Sequence, residues 1–237
     1  MIAFHGKAIL LDVEGTVAPL SFVRDTLFPF AREHLDTVLQ RRWNDFAVAV
    51  ACDQIARDGG ATFDAWAPAE QVRSWVADEV RRLMDRDAKT TGLKLLQGLI
   101  WEEGYRDGRL HSQVYTDVPP ALRAWNRRDW QVRIFSSGSV DAQRMFFAHT
   151  DVGDLTSYLW GYDDTATGPK REPESYRAIA AKAGFPPAEI LYLSDVTYEL
   201  DAARHAGLVT ALMVRPGNKP VQDGHGHPVI TDFSQVM

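Results

Sequence analysis

Lys7-Ala8-Ile9-Leu10-Leu11-Asp12-Val13-Glu14-Gly15-Thr16 is the stretch on which the reading of this chain turns. The apolar run Ala8 to Leu11 has the length of a buried strand, and it breaks off in two acids one residue apart. Side chains at i and i+2 of a strand share a face, so Asp12 and Glu14 are expected to point the same way. Gly15 lets the chain turn sharply and a ligand come close. Open α/β sheets hold ligands at the carboxyl ends of their strands. Two carboxylates there can attack, move protons and hold a divalent cation. The same residues also suit a plain turn with two solvated acids, so the downstream partners decide.

Working outward, the 237 residues are enough for a large core with an accessory domain. Hydrophobic residues make up 45% and charged residues 24%, a globular balance. The net charge of −6 offers no basic face for nucleic acid or anionic lipid. Cys52 is the one cysteine, which excludes an internal disulfide and suits a reducing compartment. No secretion signal and no run of membrane-spanning length are visible, so a cytoplasmic location without membrane contact is expected.

After Thr16 the pattern becomes helical. Residues 25–58, 68–85 and 91–105 carry apolar residues at helical spacing, and no strand is read between Ser21 and Leu110. From Val114 strands alternate with helices, as in a parallel sheet wrapped by helices. Strands are expected at 132–135, 190–193 and 209–214, a short strand or turn within 155–161, and a surface loop at 224–227. The expected fold is α/β, a doubly wound, Rossmann-like parallel sheet formed by residues 1–20 and 111–237, with residues 21–110 inserted as an all-helical cap domain.

Three strands thus end in polar clusters: Asp12 with Glu14, Ser136 with Ser137, and Ser194 with Asp195. Lys170 adds a cation from a loop. Each has an ordinary reading as well: Ser136 as a helix cap, Lys170 as a solvated charge, Asp195 as an N-cap. Taken together at successive strand ends, they suit phosphoryl transfer. Asp12 would be the nucleophile, Glu14 the acid and base, and Asp12, Asp195 and the Glu14 position the holders of Mg²⁺. Ser136, the Ser137 and Gly138 amides and Lys170 would take the phosphate oxygens.

The series Asp12-Val13-Glu14-Gly15-Thr16, Ser136-Ser137, Lys170 and Ser194-Asp195 resembles the four motifs of the haloacid dehalogenase superfamily. Glu14, where most of its phosphatases carry Asp, resembles one branch, the enolase-phosphatases (acireductone synthases) of methionine salvage. So do Ser21-Phe22-Val23, Leu99-Ile100-Trp101-Glu102-Glu103-Gly104-Tyr105 and Thr167-Gly168-Pro169-Lys170-Arg171-Glu172. The resemblance implies a Mg²⁺-dependent monomer that enolises 2,3-diketo-5-methylthiopentyl-1-phosphate and then removes its phosphate. It carries metal binding onto Asp12, Glu14 and Asp195, and substrate contact onto Ser136, Ser137 and Lys170. One departure is Thr197-Tyr198, where smaller or acidic residues are usual, leaving Glu199 and Asp201 as supporting candidates only.

Within the insert, Lys94, Gln97 and Trp101 fall on one helical stripe. That stripe suits the floor of a lid over a small polar substrate, with Lys94 and Trp101 in contact, or a half-exposed helix with an extended Lys. Glu102 and Glu103 could serve in enolisation or be solvated. Two other functions fit the scaffold. One is a broader phosphatase of small sugar phosphates or phosphoglycolate. The other is a phospho-accepting signalling receiver, which has no need of a lid.

Overall fold

The computed structural model describes residues 1–62, 67–221 and 224–237. The chain divides into two compact units, Met1–Val23 with His111–Met237, and Arg24–Leu110.

The first unit is built on a six-stranded parallel sheet: β1 (Ala8–Leu11), β2 (Gln131–Phe135), β3 (Gly161–Asp163), β4 (Ile190–Ser194), β5 (Val209–Met213) and β6 (Val229–Ile230). Their order is β3-β2-β1-β4-β5-β6, the doubly wound α/β arrangement expected. β1 is buried along its whole length because strands flank it on both sides, with Leu11 level with Ile134 of β2 and Leu193 of β4. The strand order reverses at β1 and β4, and the crevice beyond their carboxyl ends is where such sheets bind ligands.

A single turn, α1 (Leu20–Phe22), leads through a π-helical segment, Val23–Leu27, to the helices of the second unit. These are α2 (Phe28–Arg41), α3 (Phe46–Asp58), α4 (Ala69–Asp85) and α5 (Thr91–Arg106). Leu35, Val48, Ile55, Val76 and Leu96, all fully buried, come from all four helices and form one core. Asp45 caps α3, accepting from the Ala47 N–H at 2.8 Å. Among the described residues, this unit contains no strand.

The remaining helices, α6 (Val118–Asn126), α7 (Val140–Ala148), α8 (Pro173–Ala183) and α9 (Thr197–His205), belong to the sheet unit. Ser139 caps α7 through the Ala142 N–H. Between Leu155 and Gly161 the chain forms a 3₁₀ turn at Thr156–Tyr158, and β3 starts at Gly161. β6 was not expected from the sequence, since two residues carry no periodicity. The 224–227 tract is the expected loop, exposed at Gly224 and Gly226, except at its last residue. His227 is buried, with Nδ1 2.8 Å from Thr210 Oγ1 and Nε2 3.1 Å from Asp201 Oδ1. Its burial depresses the imidazole pKa, so a neutral ring ties this segment to β5 and α9.

Candidate active site

Asp12 follows β1 directly, and its N–H still donates to Leu193 O at 3.0 Å. Its side chain is nearly inaccessible. Oδ1 accepts from Lys170 Nζ at 2.6 Å and from the Val13 N–H at 2.8 Å. Oδ2 accepts a longer bond from Ser194 Oγ, 3.3 Å. Lys170 lies in a turn between β3 and α8, its main chain fixed by the Tyr176 hydroxyl, which donates to Lys170 O at 2.6 Å. Its ammonium also meets Glu199 Oε2 at 2.7 Å and stands 5.7 Å over the Phe135 ring. Burial opposes the charge, but Asp12 and Glu199 outweigh it and push the Lys170 pKa up to about 12.

Glu199, from the first turn of α9, accepts from Tyr192 OH at 2.7 Å and faces Ser194 Oγ at 3.2 Å. Burial, then the Asp12 charge, raises its pKa against the pull of Lys170. Asp195 sits beside Gly15. A Cβ placed on Gly15 would stand 2.4 Å from Asp195 Oδ2, and Gly15 has φ +73°, so glycine is required on both counts. Burial first, then Asp12 and Glu199, pushes the Asp195 pKa to about 7.

These contacts dispose of the ordinary readings. Lys170 is 8% exposed and is no solvated charge. α9 is capped at Val196, not Asp195, and α7 at Ser139, not Ser136. Ser136 follows β2 beside β1 and accepts from the Gly138 N–H at 3.3 Å, while Ser137 is exposed in the same turn. Gln143 steadies that turn, donating to Gly138 O at 2.8 Å.

Two expectations change. β1 ends at Leu11, so the strand alternation used for Asp12 and Glu14 does not extend to them. Glu14 lies in a turn in which Gly15 N donates to Ala18 O at 2.8 Å, and it is exposed. Among the described residues no three His, Cys, Asp or Glu side chains are already grouped as a metal-ligand cluster. Glu199, ranked only as a supporting residue from sequence, is part of the charged centre. An acid in the first turn of the helix after Ser194-Asp195 was the available signal. Lys94 and Trp101 belong to the helical unit, on α5. The Trp101 indole N–H donates to Leu27 O at 2.9 Å, and its ring lies 6.4 Å from that of Phe28.

A buried lysine bound to a strand-end aspartate, with two further acids, at the switch point of a doubly wound sheet defines a class of hydrolase. Residues 7–207 match the haloacid dehalogenase-like hydrolase family, and the chain belongs to it. Its relatives narrow the branch. It is 43% identical to enolase-phosphatase E1 of Azotobacter vinelandii over 97% of this chain and 96% of that one. It is 40% identical to enolase-phosphatase E1 of Anopheles gambiae, covering 97% of this chain and 82% of that protein. The solved structure of the UTR4 protein of Saccharomyces cerevisiae superposes with a TM-score of 0.79 at 35% identity, over 96% of this chain and 98% of that one. CbbY of Rhodobacter sphaeroides, solved with phosphate, shares the fold at 16% identity, with a TM-score of 0.58 over 98% of this chain and 96% of that one.

Proposed function

We propose that the protein is a Mg²⁺-dependent enolase-phosphatase that converts 2,3-diketo-5-methylthiopentyl-1-phosphate to the acireductone through an aspartyl-phosphate on Asp12. The observation that carries this reading is the Asp12–Lys170–Glu199 ion triplet with Asp195 beside it, at the carboxyl ends of β1 and β4. Asp12 Oδ1 is held by two donors, whereas Oδ2 has one long contact and is the oxygen better placed to attack. As its bond to phosphorus forms, the ester oxygen leaves and takes a proton from Glu14. Water then attacks the phosphoryl group, returns the proton to Glu14 and frees Asp12 with release of phosphate. Lys170, with Ser136 and Ser137, steadies the charge on the phosphoryl oxygens.

The donor set suits a hard divalent cation, since three carboxylates, Asp12, Glu199 and Asp195, are opposed by one ammonium. Asp12, Asp195 and the Glu14 position would hold one Mg²⁺ per chain, which when bound offsets repulsion between carboxylate and phosphate. Lys94 and Trp101 are proposed as substrate contacts from the helical unit, which would act as a cap. The enzyme would work as a cytoplasmic monomer. Among the described residues no helix is long and apolar enough to cross a membrane.

Incubating the protein with the diketone phosphate and Mg²⁺ is expected to release phosphate and give the enediol absorbance, both lost on chelation. Phosphate without enediol would reject the enolase half. Comparable turnover of many sugar phosphates would favour the broader phosphatase.

A further inference from the structure

The loop that carries Asp12 is gripped from behind by a turn that no part of the proposed chemistry uses. Arg215-Pro216-Gly217-Asn218 follows β5, closed by Asn218 N donating to Arg215 O at 3.1 Å, with Gly217 at φ +88°. Pro at the second position and a left-handed Gly at the third are the chemistry of a tight type II turn. Such a turn sets its first and fourth side chains near each other, and here both reach the same loop. Asn218 Nδ2 donates to Gly15 O at 2.9 Å, and Arg215 Nε donates to Thr16 O at 3.1 Å. The next carbonyl, Val17 O, accepts from the Tyr115 N–H at 3.0 Å.

Arg215 is itself immobilised. Its side chain is 4% exposed, its Nη2 lies 2.9 Å from Asp117 Oδ2, and its Nη1 donates to Thr231 O at 3.2 Å. The guanidinium carbon lies 4.3 Å from the Tyr115 ring centroid and 4.8 Å from that of Phe233. Asp117 Oδ2 also accepts from the Phe233 N–H at 2.7 Å. A planar fork held on every side is a rigid reference point, which a lysine could not supply.

We propose that Asn218 and Arg215 are positioning residues for the phosphoryl-transfer step. Their hold on two successive carbonyls fixes the Gly15–Thr16 peptides, and through them the spacing of Asp12 and Asp195, which Gly15 touches. The inference rests on Asp12 as nucleophile. Displacing a reacting group by about 1 Å can cost about 10²-fold in rate.

Asn218 is half-buried and its replacement is the safer test, because Arg215 variants can fail to fold. Asn218→Ala and the isosteric Asn218→Asp, which keeps the shape but loses the N–H donor, are compared with wild type on the diketone phosphate with Mg²⁺. Both are expected to lower kcat about 10- to 100-fold, with KM within about 3-fold and an unchanged thermal midpoint. Wild-type kcat in both variants, wild-type kcat in Asn218→Asp alone, or a change confined to KM would overturn the proposal. Asp12→Asn is assayed alongside. If it too keeps wild-type turnover, the nucleophile assignment has failed and takes this inference with it. If it is inactive while Asn218→Ala is not, the positioning role alone has failed.

Discussion

The two units of the chain both carry surface ion pairs but differ in whether they bury charge. In the helical unit, arginines pair with acids at the surface, as in Arg32 with Asp85 at 2.6 Å and Arg57 with Asp53, all well exposed. In the sheet unit, Lys170 with Asp12 and Glu199, Arg133 with Asp163, and Arg215 with Asp117 are each 10% exposed or less on both sides. Among the described residues, pairs this deeply buried occur only there. An exposed pair contributes about 0–1 kcal/mol, because water and salt screen it and two long side chains must be ordered. A buried pair carries a desolvation cost that attraction barely offsets. The helical unit therefore draws its stability from its apolar core, and its ion pairs are dispensable. In the sheet unit one of these buried cations, Lys170, holds the carboxylate of Asp12, the proposed nucleophile.

The sharpest way to break this contrast is Asp12→Asn, which should abolish phosphate release while the fold, followed by circular dichroism, stays intact. Residual turnover near wild type would mean the buried charge has no chemical purpose. Next in size is Lys170→Met. It leaves Asp12 and Glu199 without a counter-charge, and should cost about 3–5 kcal/mol in urea unfolding as well as activity. Gly15→Ala should cost about 1–2 kcal/mol for its left-handed backbone alone. Its new methyl also meets Asp195, so phosphate release should fall by about 10²-fold. On the other side of the comparison, Arg32→Ala should change the unfolding free energy by less than about 1 kcal/mol. A larger loss would show that the surface pairs of the helical unit matter after all.

The apolar core of the helical unit can also be probed through pH. Burial pushes the Cys52 thiol, ordinarily 9.0, up to about 11. Its value in the folded state lies above that in the unfolded state, so the stability from keeping the thiol neutral is complete below about pH 9. That stability fades as the pH climbs toward about 11. The stability difference between wild type and Cys52→Ala should accordingly shrink across that range.

Much of this architecture could be read in advance. Ala8–Leu11 and Ile190–Leu193 are short apolar runs followed by polar residues, and Val132–Phe135 is one interrupted only by Arg133; central parallel strands are buried on both faces, so composition marks them. β6 is too short to show a period, whereas the turn at Thr156–Tyr158 falls within the short strand or turn expected at 155–161. Strand alternation could not place Asp12 and Glu14, because it holds only while the strand lasts and β1 ends at Leu11. Glu199 was underrated because its partners, Tyr192, Ser194 and Lys170, are assembled by tertiary packing, and no spacing rule links them. No sequence signal marks Arg215 and Asn218, since the carbonyls they serve lie about two hundred positions earlier.

Ser194 has one hydroxyl hydrogen and two carboxylates within reach, Asp12 Oδ2 at 3.3 Å and Glu199 Oε2 at 3.2 Å. A single hydrogen cannot satisfy both at once. While Asp12 is anionic the two acids compete for it; if Asp12 were converted to the proposed acyl phosphate, its weaker acceptor strength would hand the bond to Glu199. On the proposed mechanism the hydroxyl would then be a rotor whose orientation follows the covalent state of its neighbour.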